Sequence, residues 1–265
     1  MDAWWAVYLV IGAAVGFMAG LLGIGGGMIM VPMLVFVFTA KGFPAQHLMH
    51  VAIATSMSTI LFTSLSSVRA HHQRAGVDWP VARAIAPGIL AGSFAASMIA
   101  GFIPTRPLAM FFTAFMFYAA SQMLFAVKPR GTRALPGPGG LFAAGATIGA
   151  LSSLVAAGGA FLSIPFLAWC NVPLRRAIGT AAAIGFPIAL AGSAGYVLNG
   201  LRASGLPEGS LGYIHLPALL LVAVTSMLAA PLGARLAHRM PVAKLRVVFA
   251  LMLYALGARM LWTLW

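Results

Sequence analysis

The chain has 265 residues, of which 62% are hydrophobic and only 7% charged, and its mean hydropathy is +0.99. So few charged side chains cannot cover the water-facing surface of a soluble protein of this length, and the composition therefore predicts a polytopic membrane protein. The net charge of +13 does not indicate a nucleic-acid-binding protein. The basic residues lie in short connections between apolar runs, where they set the orientation of a membrane protein.

Long runs of the chain contain no Asp, Glu, Lys or Arg. Most of them reach the roughly 20 residues that a helix needs to cross a hydrocarbon layer of about 30 Å. They lack the alternation of apolar and polar residues that marks transmembrane barrel strands, so we expect helices. In chain order the runs cover residues 3–40, 42–68, 84–105, 107–127, 134–174, 177–201, 209–234 and 247–258.

The first run is too long for one crossing, since residues 3–40 would extend about 57 Å as a helix at ~1.5 Å per residue. Within it, "GLLGIGGGMIMVPML" (residues 20–34) places three glycines before a new helix that we expect to start near Met28. Backbone groups freed inside hydrocarbon must bond to protein, water or ligand, so this break predicts a site. The amides at the start of the second helix favour an anion. Alternatively, the glycines only allow close helix packing.

The second half of the chain repeats the first. Residues around the glycine break recur at a constant offset, and a segment near residue 104 recurs close to the C-terminus, which indicates an internal duplication. We place the joint in the charged, Pro- and Gly-rich stretch 128–140, which gives repeats 1–134 and 135–265. The matched pairs are Gly16 and Gly149, Leu21 and Leu154, Gly25 and Gly158, Gly26 and Gly159, Pro32 and Pro165, Leu34 and Leu167, Pro104 and Pro241, Leu108 and Leu245, Phe112 and Phe249, and Met123 and Met260.

The basic residues distinguish parallel from inverted repeats. If the first run of each half starts and ends on one side, twelve of the 16 Lys and Arg residues share one face; a single crossing divides them evenly. The positive-inside rule favours the first arrangement, with both termini outside. We predict an all-α polytopic membrane protein with two inverted repeats, each a Gly-rich broken helical hairpin followed by three transmembrane helices. The shared face holds Arg69, Arg74, Arg83, Lys128, Arg130, Arg133, Arg175, Arg176, Arg235, Arg239, Lys244 and Arg246.

The glycine motif also carries a family resemblance. "GLLGIGGGMIMVPML", its second copy "AAGGAFLSIPFL" and the duplicated apolar chain resemble the TauE/SafE family, also called the DUF81 or toluene sulfonate uptake permease family. The resemblance covers essentially the whole chain. It implies a transporter of the bacterial inner membrane that moves sulfite, sulfonates such as sulfoacetate or related sulfur oxyanions, usually as export. The second copy departs from the glycine-rich form at Ala157 and Ala160.

The polar inventory agrees with a small anionic substrate. Asp2, Asp78 and Glu208 are the acidic residues of the chain and lie in predicted loops, so the membrane interior offers no carboxylate to a cation. Hydroxyl groups near the breaks can donate to sulfonate oxygens, or they can simply support helix packing. The predicted substrate-binding residues are Gly25, Gly26, Gly27, Met28, Thr55, Ser56, Gly158, Gly159, Ala160 and Thr180.

The histidines and the single cysteine predict no metal site or cofactor. His47 and His50 lie three residues apart but have no acidic or cysteine ligand near them in sequence. His50 is a candidate to titrate during transport, although an interfacial histidine without such a role is the alternative. Cys170 has no second cysteine with which to form a disulfide.

The favoured function is a secondary transporter rather than an enzyme. A passive anion channel is one alternative. A less favoured one is an intramembrane hydrolase that uses a serine of "LAGSFAAS" (90–97) or "LAGSAGY" (190–196) with His215 as base. The expected partners are a small anion and the lipid bilayer, without nucleic acid, and the sequence is compatible with a homo-oligomer. The exact substrate, the direction of transport and the coupling ion stay open.

Overall fold

The computed structural model describes residues 4–22, 26–73, 75–125, 133–237 and 242–264, and within these ranges it contains ten α-helices and one two-stranded antiparallel sheet. The elements are α1 (Trp4–Leu22), α2 (Gly27–Ala40), α3 (Leu48–Gln73), α4 (Trp79–Ala100), α5 (Thr105–Leu124), α6 (Pro138–Leu154), α7 (Ala160–Trp169), α8 (Leu174–Gly200), β1 (Ser210–Leu211), β2 (Ile214–His215), α9 (Leu216–Ala237) and α10 (Val242–Leu264). Seven of these helices are long and apolar enough to cross a membrane, and α2, α6 and α7 are shorter. The prediction of an all-α, multi-pass membrane protein is confirmed.

Helices α1 and α2 form a hairpin. The Nζ atom of Lys41, which follows α2, lies 6.0 Å from the ring centroid of Trp4 and 5.5 Å from that of Tyr8, and both rings belong to the start of α1. The first apolar run therefore begins and ends at the same end of the molecule. Residues 23–25, which include the candidate Gly25, lie outside the described residues.

Helices α6 and α7 form a second hairpin. The guanidinium carbon of Arg133, ahead of α6, lies 4.6 Å from the ring centroid of Trp169, the last residue of α7. Nδ2 of Asn171 also donates a hydrogen bond of 3.0 Å to the carbonyl oxygen of Arg133. Each broken hairpin is followed by three longer helices, α3 to α5 in the first half and α8 to α10 in the second.

The first helix of each half packs against the other half. Helix α1 lies along α9 in the same direction, and α6 lies along α4 in the same way. A Cβ atom at Gly16 would collide with the backbone of Ser226, and one at Gly92 with the backbone of Ala146, so glycines permit both contacts. The limits 1–134 and 135–265 thus mark predicted repeats and not separately packed units, and their inversion stays a prediction.

Helices α3 and α8 cross the centre of the bundle in opposite directions. Oγ of Ser58 donates a 3.0 Å hydrogen bond to Oγ of Ser193, and Gly76, just after α3, contacts Gly179 near the start of α8. Helices α5 and α10 also pair antiparallel. Helix α2 packs against α3 and α7 packs against α8, so the second helix of each hairpin lies on one of the two long central helices.

The bundle has two chemically different ends. We call the end that carries Lys41, His47 and His215 the histidine end, and the opposite end, where α3 finishes and α4 starts, the arginine end. The described basic residues at the arginine end are Arg69, Arg83, Arg133, Arg175, Arg176, Arg235 and Arg246, and those at the histidine end are Lys41, Arg106, Arg202 and Arg259. Among described residues, the charge therefore concentrates on the face that the hairpin arrangement predicts.

Candidate functional site

Helices α2 and α7 both start in the protein interior, each at a left-handed glycine. Gly26 has φ 61° and ψ −13°, and Gly159 has φ 80° and ψ −18°. This conformation costs a residue with a Cβ roughly 1–2 kcal/mol, which explains glycine at both positions. Each glycine carbonyl accepts the first helical hydrogen bonds, including 3.1 Å from the N–H of Met30 and 2.8 Å from that of Ser163.

The two helix starts lie near mid-depth and the helices run in opposite directions. Gly27 contacts Ile60 in the middle of α3, and Gly159 contacts Ile188 in the middle of α8. From there α2 runs to the histidine end and α7 to the arginine end. Neither Gly26 nor Gly159 supplies a side-chain cap, so the positive ends of two helix dipoles converge on the centre.

The two breaks are in direct contact. A Cβ atom at Gly27 would collide with the carbonyl oxygen of Ala156, a residue of the second break that itself has a positive φ of 46°. A Cβ at Gly26 would lie 2.9 Å from Cγ1 of Val15 and 3.0 Å from Cβ of Ala19. Close packing, the alternative role weighed for these glycines, therefore applies to Gly26 and Gly27 in this structure.

Four further predicted residues line the breaks. Met28, in the first turn of α2, and Ala160, the first residue of α7, are both buried. Oγ of Ser56 donates a 3.3 Å hydrogen bond to the carbonyl oxygen of Gly27. The carbonyl of Gly158 approaches Gly185 of α8 so closely that a Cβ there would be 3.0 Å away.

A buried hydroxyl beside the second break is left without a partner. The side chain of Ser152 is fully buried, and its Oγ has no hydrogen-bond partner in the structure. It lies 4.0 Å from the position that a Cβ on Gly159 would occupy. An unpaired buried hydroxyl costs about 1–3 kcal/mol, so a ligand oxygen at this point would relieve a real penalty. In the sequence, Ser152 is marked by its place in a pair of serines, Ser152 and Ser153, shortly before the second break.

Thr55 and Thr180 face helix caps rather than each other. Oγ1 of Thr55 accepts the N–H of His215 at 3.1 Å, and Oγ1 of Thr180 accepts the N–H of Asp78 at 2.9 Å. His215 and Asp78 in turn cap α9 and α4, because Nδ1 and Oδ1 accept N–H groups three residues further on. Each threonine thus fixes a helix start in the other half, and its contribution to substrate binding stays a prediction.

Hydrogen bonds and ring contacts of His50 connect neighbouring segments at the histidine end. Nε2 of His50 lies 3.0 Å from the carbonyl oxygens of both Ala100 and Ile103, so this nitrogen carries the proton and ties α3 to the end of α4. The ring of His50 stacks on Tyr213 at 5.1 Å. Among the described residues, no group of three His, Cys, Asp or Glu side chains is placed to hold a metal ion.

The side chain of His215 caps the start of α9. Burial, with a smaller contribution from the charge of Lys41, lowers the pKa of His215 to about 4, so the ring is neutral near pH 7 and Nδ1 can accept the cap hydrogen bond. Its ring lies among Tyr8, Phe38 and Phe43. In the described part of the chain, these contacts do not pair it with a serine, as the hydrolase alternative would require.

Comparison with known proteins gives a consistent result. The family model described as "Sulfite exporter TauE/SafE" matches residues 8–260. A "probable membrane transporter protein" of Haemophilus influenzae is 34% identical over 254 residues, which are 95% of this chain and 96% of that protein. A second protein so described, from Methanocaldococcus jannaschii, is 26% identical over 96% of this chain and 94% of its own length. The probable membrane transporter protein YdhB of Bacillus subtilis is 25% identical over 85% of this chain and 87% of its own.

Proposed function

The chain belongs to the sulfite exporter TauE/SafE family of membrane transporters, and on this premise we propose that it exports a small sulfur oxyanion, sulfite or an organosulfonate. The observation that carries the proposal is the meeting of two uncapped helix starts, those of α2 and α7, at the middle of the central helices. Their dipoles favour negative charge at this point. The two acidic residues that the structure describes, Asp78 and Glu208, lie outside the membrane-spanning helices.

The hydrogen-bonding groups around the breaks complete the proposed site. Oγ of Ser152 has no partner in the protein, and a sulfite or sulfonate oxygen would accept its proton. The N–H groups of the first turns of α2 and α7 supply further donors without the cost of burying Lys or Arg. In this structure the two breaks are packed together, so the anion enters when the hairpins separate.

Each hairpin is anchored at a different end, which suits alternating access. Helix α2 ends among the aromatic rings around Lys41 at the histidine end, and α7 ends at the Arg133 and Trp169 stack at the arginine end. We propose that a tilt of one hairpin against the central helices opens the site to one end at a time. By the positive-inside rule the arginine end faces the cytoplasm. A potential negative inside then favours anion efflux by about 2.3 kcal/mol per charge per 100 mV.

Replacing Ser152 tests the proposal directly. We expect Ser152→Ala to weaken sulfite or sulfoacetate binding by about 10- to 100-fold, since one hydrogen bond to a charged ligand contributes roughly 1.5–3 kcal/mol. The thermal stability of the Ser152→Ala variant should be unchanged or higher, because the substitution removes an unpaired buried hydroxyl. Isothermal titration of the purified protein with sulfite, thiosulfate, sulfoacetate, taurine and sulfate measures the first effect.

The neighbouring serine is the matched control. Oγ of Ser153 donates to the carbonyl oxygen of Ala150 in its own helix at 3.0 Å, so Ser153→Ala should leave binding unchanged. Equal losses in the two variants would remove Ser152 from the site.

In proteoliposomes a transporter gives saturable flux of labelled sulfite, whereas flux that neither saturates nor responds to a pH gradient would identify a passive channel.

A further inference from the structure

A cavity opens at the arginine end of the bundle. It has a volume of about 510 Å³ and lies between the last turns of α3, the first turns of α4 and the middle of α8. This size is typical of sites for small organic molecules. Most of its wall is hydrocarbon, supplied by side chains such as Val68, Ala82, Ile184 and Phe186.

Two arginines also border the cavity. Arg69 of α3 and Arg83 of α4 are both exposed, and neither forms an ion pair with a described carboxylate. Nδ1 of His72, another lining residue, accepts the indole N–H of Trp79 at 3.1 Å. Asp78, the acidic residue at the start of α4, directs Oδ1 to the N–H of Val81. The cavity thus combines a hydrocarbon wall with two arginine side chains that can bind an anionic group.

The apolar wall continues onto the exterior of the bundle. Exposed apolar side chains follow the cavity toward the middle of all three helices: Phe62 and Leu65 on α3, Leu90 on α4 and Leu190 on α8. In a membrane protein such a surface faces lipid chains. A hydrocarbon chain that leaves the cavity can therefore stay on apolar surface, whereas a short hydrated anion would gain nothing from these walls.

We propose that this cavity binds an anionic phospholipid, with the phosphate held by Arg69 and Arg83 and an acyl chain lying in the apolar part. Charge complementarity selects this occupant. The arginine end carries most of the described basic residues, and anionic lipids concentrate in the cytoplasmic leaflet that the positive-inside rule assigns to it. Trp79 lies half-buried at the same level, as is typical of aromatic side chains at the membrane interface.

Lipid retention in native mass spectrometry tests the site. The purified protein is titrated with phosphatidylglycerol or phosphatidylcholine, and the fraction of lipid-bound protein is measured. We expect the double substitution Arg69→Gln and Arg83→Gln to weaken phosphatidylglycerol binding by about tenfold without changing phosphatidylcholine binding, because charge-assisted contacts to the phosphate are lost. Arg202→Gln, an exposed arginine at the histidine end, is the matched control and should change neither.

A second variant separates the pocket from its charge. Ala86, which is half-buried in the cavity wall, can be replaced by Phe to fill the cavity while both arginines stay. We expect Ala86→Phe to lower phosphatidylglycerol retention as well. Size-exclusion chromatography checks that each variant is folded.

Three outcomes would overturn the proposal. Phosphatidylglycerol retention that is the same in the double variant as in the unaltered protein would remove the arginines from a lipid site. Displacement of the lipid by methanesulfonate or glycerol phosphate at matched concentration would show that the cavity binds a free anion. A dimer that dissociates in the double variant, with lipid retention unchanged, would assign the surface to a second copy of the chain. Lipid retention is measured without transport, so these results do not depend on whether the protein carries an anion through the breaks.

Discussion

The two helix breaks share one backbone geometry but differ in the residue after the cap. Gly26 and Gly159 are both left-handed caps, followed by Gly27 in the first half and by Ala160 in the second. A Cβ at Gly27 would collide with the carbonyl oxygen of Ala156, whereas Ala160 accommodates its methyl group in the core. Reversal of the chain thus requires only the cap glycine, and the glycine after it serves the contact between the breaks.

This difference also explains a departure noted in the sequence. The second copy of the motif carries alanine at position 160, where the first copy carries glycine. The first break receives the backbone of the second at Gly27, whereas the corresponding buried position in the second break, residue 160, has room for a methyl group. Loss of glycine in the second copy is therefore compatible with an intact helix break, and the two copies need not contribute equally to binding.

Substitution at the residue after the cap should give the largest effect. We expect Gly27→Ala to destabilise the protein by about 3 kcal/mol or more, since the added methyl meets a backbone atom that cannot rotate away. The reciprocal Ala160→Gly adds backbone freedom and removes one buried methyl group but creates no clash, so it should cost about 1–2 kcal/mol. Thermal unfolding in detergent micelles measures both. Equal costs would show that the breaks do not depend on close contact at Gly27.

The caps of the two halves give a second comparison, with an intermediate effect. Thr55→Val removes the acceptor for the buried N–H of His215, which should cost about 1–3 kcal/mol. Thr180→Val should cost less, because Asp78 is partly exposed and water can replace the lost acceptor. Thermal unfolding again measures the difference.

The control for the threonines lies in α5. The hydroxyl of Thr113 is buried but donates to Ala109 within its own helix, so Thr113→Val should have little effect. A loss in this variant as large as in Thr55→Val would mean that any buried threonine is sensitive and that the cap contacts have no special role.

Acidification should weaken the half that is capped by histidine. The pKa of His215 falls from 6.5 to about 4 on folding, because burial disfavours the charged ring. Above pH 6.5 the ring is neutral in both states and the cap contributes fully. As the pH falls from 6.5 toward 4, His215 takes up a proton in the unfolded chain before it does so in the folded protein. The free energy of unfolding therefore declines over this pH range.

An asparagine at position 215 isolates this effect. The variant His215→Asn keeps a side-chain acceptor for the start of α9 but cannot titrate. We expect the unfolding temperature of the unaltered protein to fall more steeply between pH 7 and about 4.5 than that of the variant. Parallel profiles would show that His215 does not titrate differently in the folded and unfolded states.

The sequence by itself determined the membrane class, the helices, the family and the positions of both breaks. These features depend on local chemistry: long uncharged runs, glycines where the chain needs a left-handed residue, and prolines in the helices that follow. The hairpin arrangement also followed from the sequence, since the distribution of arginines along the chain records which connections share a face.

Only the tertiary structure decided which of these residues meet. The partners of Thr55 and Thr180 lie in the opposite half of the chain, the contact of Gly27 with Ala156 joins the two breaks, and the cavity beside Arg69 and Arg83 needs three helices. Hydropathy and turn propensity act over a few residues, whereas these contacts depend on how distant helices pack. The unpaired hydroxyl of Ser152 is likewise a property of its surroundings, because only packing determines whether a buried serine finds a partner.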